Sequence, residues 1–106
     1  MELIDGTLLT QAGTDKEISS GCVCDLLSWV MAHARPGGAW ITVQTHLNVV
    51  AVAELSDLAC VVLPCGMEME QAALEKAGET GLAVLSSPMS AFDIAGILYA
   101  QNVRGA

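Results

Sequence analysis

Positive charge is scarce in this chain. Its 106 residues include four lysines and arginines (Lys16, Arg35, Lys76 and Arg104) against twelve aspartates and glutamates, for a net charge of −8. Nucleic-acid binding needs a basic patch that displaces counterions from phosphates, and four scattered cations make none. Docking on an anionic membrane surface fails on the same ground. No uninterrupted apolar run approaches the ~20 residues of a membrane span. The opening MELIDGTLLT is acidic and does not follow the basic-then-apolar order of a signal peptide, so a cytoplasmic protein is expected.

Several catalytic signatures are missing too. There is no G-x-x-x-x-G-K-[ST] phosphate loop, no Gly-Lys pair and no G-x-G-x-x-G. A nucleotide-driven phosphotransferase would have no phosphate cradle. No G-x-S-x-G elbow surrounds Ser86 and Ser87, so these read as a polar strand end and not as nucleophiles. The expectation is a protein without catalytic apparatus and without a cofactor. Four cysteines, Cys22, Cys24, Cys60 and Cys65, show neither disulfide-scaffold spacing nor the paired C-x-x-C of a zinc site. They are expected to be reduced thiols, with no bound metal.

Hydrophobic residues amount to 53% and charged ones to 15%. A chain of this size forms one domain, residues 1–106, and leaves much surface exposed. With so few charges to cover it, apolar surface is expected to meet another subunit, as a homodimer at least. A protein partner is compatible with the same surface.

Nearly all-apolar runs at 39–44 (AWITVQ), 60–63 (CVVL) and 82–85 (LAVL) suit strands buried on both faces of a parallel sheet. Two further strands are expected at 6–11 and 18–24, joined across residues 13–16. Helices are expected at 26–34 capped by Asp25, at 49–55 capped by Asn48, and at 67–77 with Glu68 and Glu70 in the first turn and Lys76 near the end. A last helix opens at the Ser90 cap and runs to about 101. The helix at 49–55 is apolar almost all round, which suits deep burial or a subunit contact. From residue 18 the order is β-α-β-α-β-α-β-α. The fold class is therefore α/β: a mostly parallel sheet of four core strands with helices on both faces, plus a short N-terminal strand.

In such sheets ligands bind at the carboxyl ends of the strands. That edge is expected to gather Thr45, His46, Asn48, Cys65, Gly66, Ser86 and Ser87 as ligand-binding residues. Asn48, Glu68 and Ser90 stand at expected helix starts, whose amides favour a small anionic ligand. His46 is either a ligand contact or acid–base group, or a side chain that fixes its loop by hydrogen bonds. His33, late in a helix, reads as surface or interface structure.

Three stretches, 40–53 (WITVQTHLNVVAVA), 61–68 (VVLPCGME) and 85–95 (LSSPMSAFDIA), resemble the DRTGG domain family. The resemblance runs from about residue 18 to about 99. It is closest to the stand-alone branch, similar to the N-terminal domain of a serine kinase of the HPr protein. The family's Asp-Arg pair corresponds to Thr45 and His46. Its Thr-Gly-Gly triplet corresponds to Pro64, Cys65 and Gly66, of which only the glycine is kept. The resemblance implies an α/β regulatory accessory domain, of the kind that accompanies CBS pairs in pyrophosphatases, with the chemistry carried elsewhere. The expected function is a non-catalytic regulatory or interaction domain that forms homo-oligomers. The alternative is a sensor that binds a small metabolite or nucleotide at the carboxyl edge.

Overall fold

A computed structural model describes residues 7–8 and 18–105. The five strands are β1 (Thr7–Leu8), β2 (Ser20–Val23), β3 (Gly38–Ile41), β4 (Cys60–Leu63) and β5 (Ala83–Ser86). They form one sheet in the order β1-β5-β4-β3-β2. The pairs β2–β3, β3–β4 and β4–β5 are parallel, whereas β1 runs antiparallel to β5. The four helices are α1 (Leu27–His33), α2 (Leu47–Leu55), α3 (Gln71–Thr80) and α4 (Ala91–Ala100). The expected α/β architecture is present.

Period-two alternation divides the strand side chains between two cores. Cys22, Trp40, Val61 and Val84 point to the face covered by α1, α2 and α3, where they meet Val30, Val49, Val50, Ala73 and Ala77. Ala39, Ile41, Cys60, Val62, Ala83 and Leu85 point to the opposite face and meet Ile94 and Leu98 of α4. α2 packs against both α1 and α3, which buries its Val49, Val50, Val52 and Ala53.

The structure corrects four local expectations. The strand near the N-terminus is not joined side by side to β2: β1 lies at the far edge beside β5. The expected connection at 13–16 and most of 6–11 lie outside the described residues. β3 ends at Ile41 and not at 44, because the chain beyond it turns toward Asp25. Asp25 does not cap α1, whose N-cap is Leu26 with no side-chain hydrogen bond. α3 starts at Gln71, so Glu68 and Glu70 precede the helix and Lys76 stands before its last turn. Residues 67–70 do not coil because they bond to neighbouring loops: Glu70 N–H donates to Thr45 O, and Met67 O accepts the Ser86 hydroxyl. The C-terminus of α3 closes on Gly81 in the left-handed conformation (φ +78°), which costs glycine nothing.

Trp40 is wholly buried, yet its indole N–H donates to Cys24 O at 2.7 Å. It ties the exit of β2 to the core. Trp40→Phe therefore removes volume and also leaves a carbonyl without its donor. We expect a loss of about 2–4 kcal/mol, read as a lowered midpoint with unchanged slope in urea denaturation. A loss below ~1 kcal/mol would show that this bond is dispensable.

Candidate functional site

Because β3, β4 and β5 run parallel, their carboxyl ends share one edge, and the seven residues expected to bind ligand lie along it, in the loops leaving it or, for Asn48, in the first turn of α2. The edge is built by one clamp. Asp25 Oδ1 accepts the Thr42 hydroxyl at 2.7 Å and the Val43 N–H at 3.0 Å. Gln44 N–H donates to Thr42 Oγ1, and the Gln44 side-chain amide donates to Asp25 O. Thr42 N–H still donates to Val62 O of β4, and beyond it these bonds tie residues 43 and 44 to Asp25 and Thr42.

His46, not Asn48, is the N-cap of α2. Its Nδ1 accepts the Asn48 N–H at 3.2 Å, and its carbonyl accepts the Val49 N–H. The loop-fixing reading of His46 is therefore realised. It does not exhaust the ring. With Nδ1 used as acceptor, a neutral imidazole carries its proton on Nε2, a free donor on an exposed side chain. Two first-turn amides of α2 are thereby already bonded, so the helix start offers less to an anion than its position suggests.

An open cleft of about 540 Å³ lies here, lined by Leu27, Val43, Gln44, Thr45, His46, Asn48, Val49 and Glu70. Its walls mix amide, hydroxyl, imidazole and carboxylate groups with aliphatic surface. No lysine or arginine lines it, and Glu70 does. This environment suits a neutral ligand with donors and acceptors better than a phosphate.

Cys65, Gly66, Ser86 and Ser87 do not line this cleft. They form an adjoining corner of the same edge, where Cys65 N–H donates to Met89 O and Gly66 N–H donates to Ser87 O. The Ser86 hydroxyl donates to Met67 O, and Ser87 is fully buried with its hydroxyl accepting from Met89 N–H. Cys65 and Gly66 are consecutive left-handed residues (φ +59° and +70°). A cysteine there is strained, and the corner's hydrogen bonds maintain it. Sequence reasoning missed Gln44 and Glu70 as lining groups. Glu70 was hidden by the early helix start assigned to α3.

The thiols are dispersed. Cys22 and Cys60 are buried on opposite faces of the sheet, Cys24 is half-buried with its sulfur accepting the Leu26 N–H, and Cys65 is exposed. Among the described residues no group of three or more His, Cys, Asp or Glu could hold a metal ion. His33 is exposed, stacked on Trp29 at 4.1 Å between ring centroids, with Nδ1 2.9 Å from Trp29 O. Its exposure fits the expected surface or interface position.

No family model matches the sequence, and no curated protein matches it. A likeness exists at the level of fold. A solved structure of the CBS and DRTGG domains of the regulatory region of Clostridium perfringens pyrophosphatase, complexed with its activator diadenosine tetraphosphate, is similar with a TM-score of 0.76 at 10% sequence identity. The similarity covers 92% of this chain and 43% of that one, so this chain spans less than half of its structural neighbour. Among the described residues no helix is long and apolar enough to cross a membrane.

Burial, and then the charge of Cys24, push the Cys22 thiol above its ordinary 9.0. The folded protein thus keeps this proton after an unfolded chain has lost it. This contribution to stability is complete below pH 9.0 and declines as the pH climbs from there through the raised folded value. In native protein iodoacetamide should modify Cys65 first, and Cys22 and Cys60 only on unfolding. Peptide mass mapping over a time course is the check. Equal rates at Cys22 and Cys65 would contradict the burial described.

Proposed function

We propose that this chain is a non-catalytic regulatory domain that forms homo-oligomers and senses a small nucleoside-type metabolite in the cleft beside His46. The observation that carries the reading is the cleft itself. It opens at the carboxyl edge of a parallel sheet, where ligands of such folds bind, and is lined by side chains able to donate and accept hydrogen bonds. Thr45, His46, Asn48, Gln44 and Glu70 would grip a base or sugar by its polar edges, with Leu27, Val43 and Val49 against its flat surface. Cys65, Gly66, Ser86 and Ser87 would set the shape of the neighbouring corner.

The structural neighbour is a regulatory region in complex with a dinucleotide activator, and it supplies the ligand class tested below. The resemblance to the N-terminal domain of HPr serine kinase and a cytoplasmic location belong to the same reading. A catalytic role is disfavoured because the phosphate loop is missing, and because the rim serines are engaged as the donor to Met67 and the acceptor from Met89.

A thermal-shift screen with nucleosides, nucleotides and diadenosine tetraphosphate tests this. A ligand at ~100 times its dissociation constant should stabilise by ~2.7 kcal/mol, an evident rise in Tm. His46→Ala is a poor probe, because losing the cap costs about 0.5–2 kcal/mol by itself. His46→Asp keeps a capping acceptor and leaves no side-chain N–H donor, so it should abolish the shift with little change in the unliganded Tm. The wild-type chain should release no phosphate from ATP and transfer none to HPr. The proposal fails if no compound raises Tm, if the shift survives His46→Asp, or if highly purified protein turns ATP over.

A further inference from the structure

The two faces of the sheet are covered unequally. Three helices lie on one, whereas among the described residues α4 is the only helix on the other. An apolar groove of about 240 Å³ runs between α4 and the β2–β3 side of the sheet, with Val23 and Ile41 on one wall and Ala95 and Tyr99 on the other. Its surroundings are apolar and open to solvent: Phe92 is 87% exposed, Tyr99 60% and Val23 56%.

Gly96 sits in the middle of the outward stripe of α4, four residues after Phe92 and three before Tyr99. Among the described residues a Cβ added at Gly96 would meet nothing within 4 Å, so no packing among them requires a glycine there. Glycine inside a helix is destabilising relative to alanine, and here no packing among the described residues offsets that cost. Gly78 of α3 is equally open, but Glu75, Lys76 and Glu79 surround it on a solvated face. Around Gly96 the neighbours are aromatic. A bare helix backbone flanked by exposed rings is the form that admits close approach of another backbone.

The charges indicate which one. Asp93 stands in the first turn of α4 and Arg104 just beyond its end, held against the Tyr99 ring at 4.0 Å. The ion pair found among the described residues is Lys76–Glu79, so both remain unpaired as charges. A negative group at one end of the stripe and a positive group at the other are self-complementary under a two-fold axis crossing the helix near Gly96. Antiparallel apposition then brings Asp93 toward the partner's Arg104, and Phe92 toward the partner's Tyr99.

We infer that a second copy of this chain docks on the α4 face, with the two α4 helices antiparallel across Gly96. This names the surface for the homo-oligomer in the proposed function and rests on that part of it. It is independent of the ligand cleft, which lies across the sheet beside α2.

Sedimentation velocity at micromolar to 100 µM protein tests it. The wild type should sediment at twice its chain mass of 11.0 kDa. Gly96→Arg should give the single-chain mass with unchanged circular dichroism. Arg104→Glu should raise the dimer dissociation constant at least tenfold, and adding Asp93→Lys should restore it, because the reversed pair is again complementary. A monomeric wild type at 100 µM overturns both the surface and the homo-oligomer. A dimer that survives Gly96→Arg, or a double charge reversal that restores nothing, overturns the α4 surface alone. The ligand-induced Tm shift, measured on the same variants, reports separately on the cleft.

Discussion

Solvent reaches neither face of β4. Val61, Val62 and Leu63 are fully buried, and the strand is hydrogen-bonded on both sides, to β3 and β5. A strand so enclosed must be covered above and below, and in a parallel sheet every return crossing supplies a covering helix. From this one constraint come the alternation of strands and helices and the two separate cores. The gathering of strand exits at a single edge has the same origin. The cleft is a by-product of that gathering, since α2 and α3 begin where β3 and β4 have just ended.

The strands and helices were legible because their signals are local. CVVL and LAVL have room for one reading once Gly and Pro punctuate them, and Ser90 caps α4 as expected, accepting the Asp93 N–H at 3.2 Å. The expectations that failed depend on partners distant in sequence. Asp25 has the side chain of a cap, but seventeen residues away Thr42 offers it a hydroxyl and Val43 an amide. A carboxylate that accepts two such bonds is better satisfied than at the mouth of a seven-residue helix. The early start assigned to α3 fails for the same reason. Glutamates at 68 and 70 look like a first turn until Thr45 O takes the Glu70 N–H.

The candidate site shows the same division. Parallel connectivity placed the seven residues on one edge, and that much followed from element order. Their separation into a cleft around His46 and a bonded corner around Ser87 did not. It is decided by loop carbonyls and amides, groups identical at every position of a sequence and silent until the fold brings them together. His46 is intermediate: both of its roles could be foreseen, but not that one imidazole would cap a helix through one nitrogen and leave the other free.

The sheet's outer edges have a consequence of their own. On one side Thr7 and Leu8 pair antiparallel with Ser86 and Leu85. On the other, Gly21 donates to Arg104 O at 2.8 Å and bridges to Gly105. An exposed edge strand is a template on which foreign strands can polymerise. Here short segments from distant parts of the sequence occupy both borders like selvedges on cloth. Each of these short segments takes up part of the ladder of the longer strand beside it, β5 at Leu85 and Ser86 and β2 at Gly21, and so shortens the template on which a foreign strand could add.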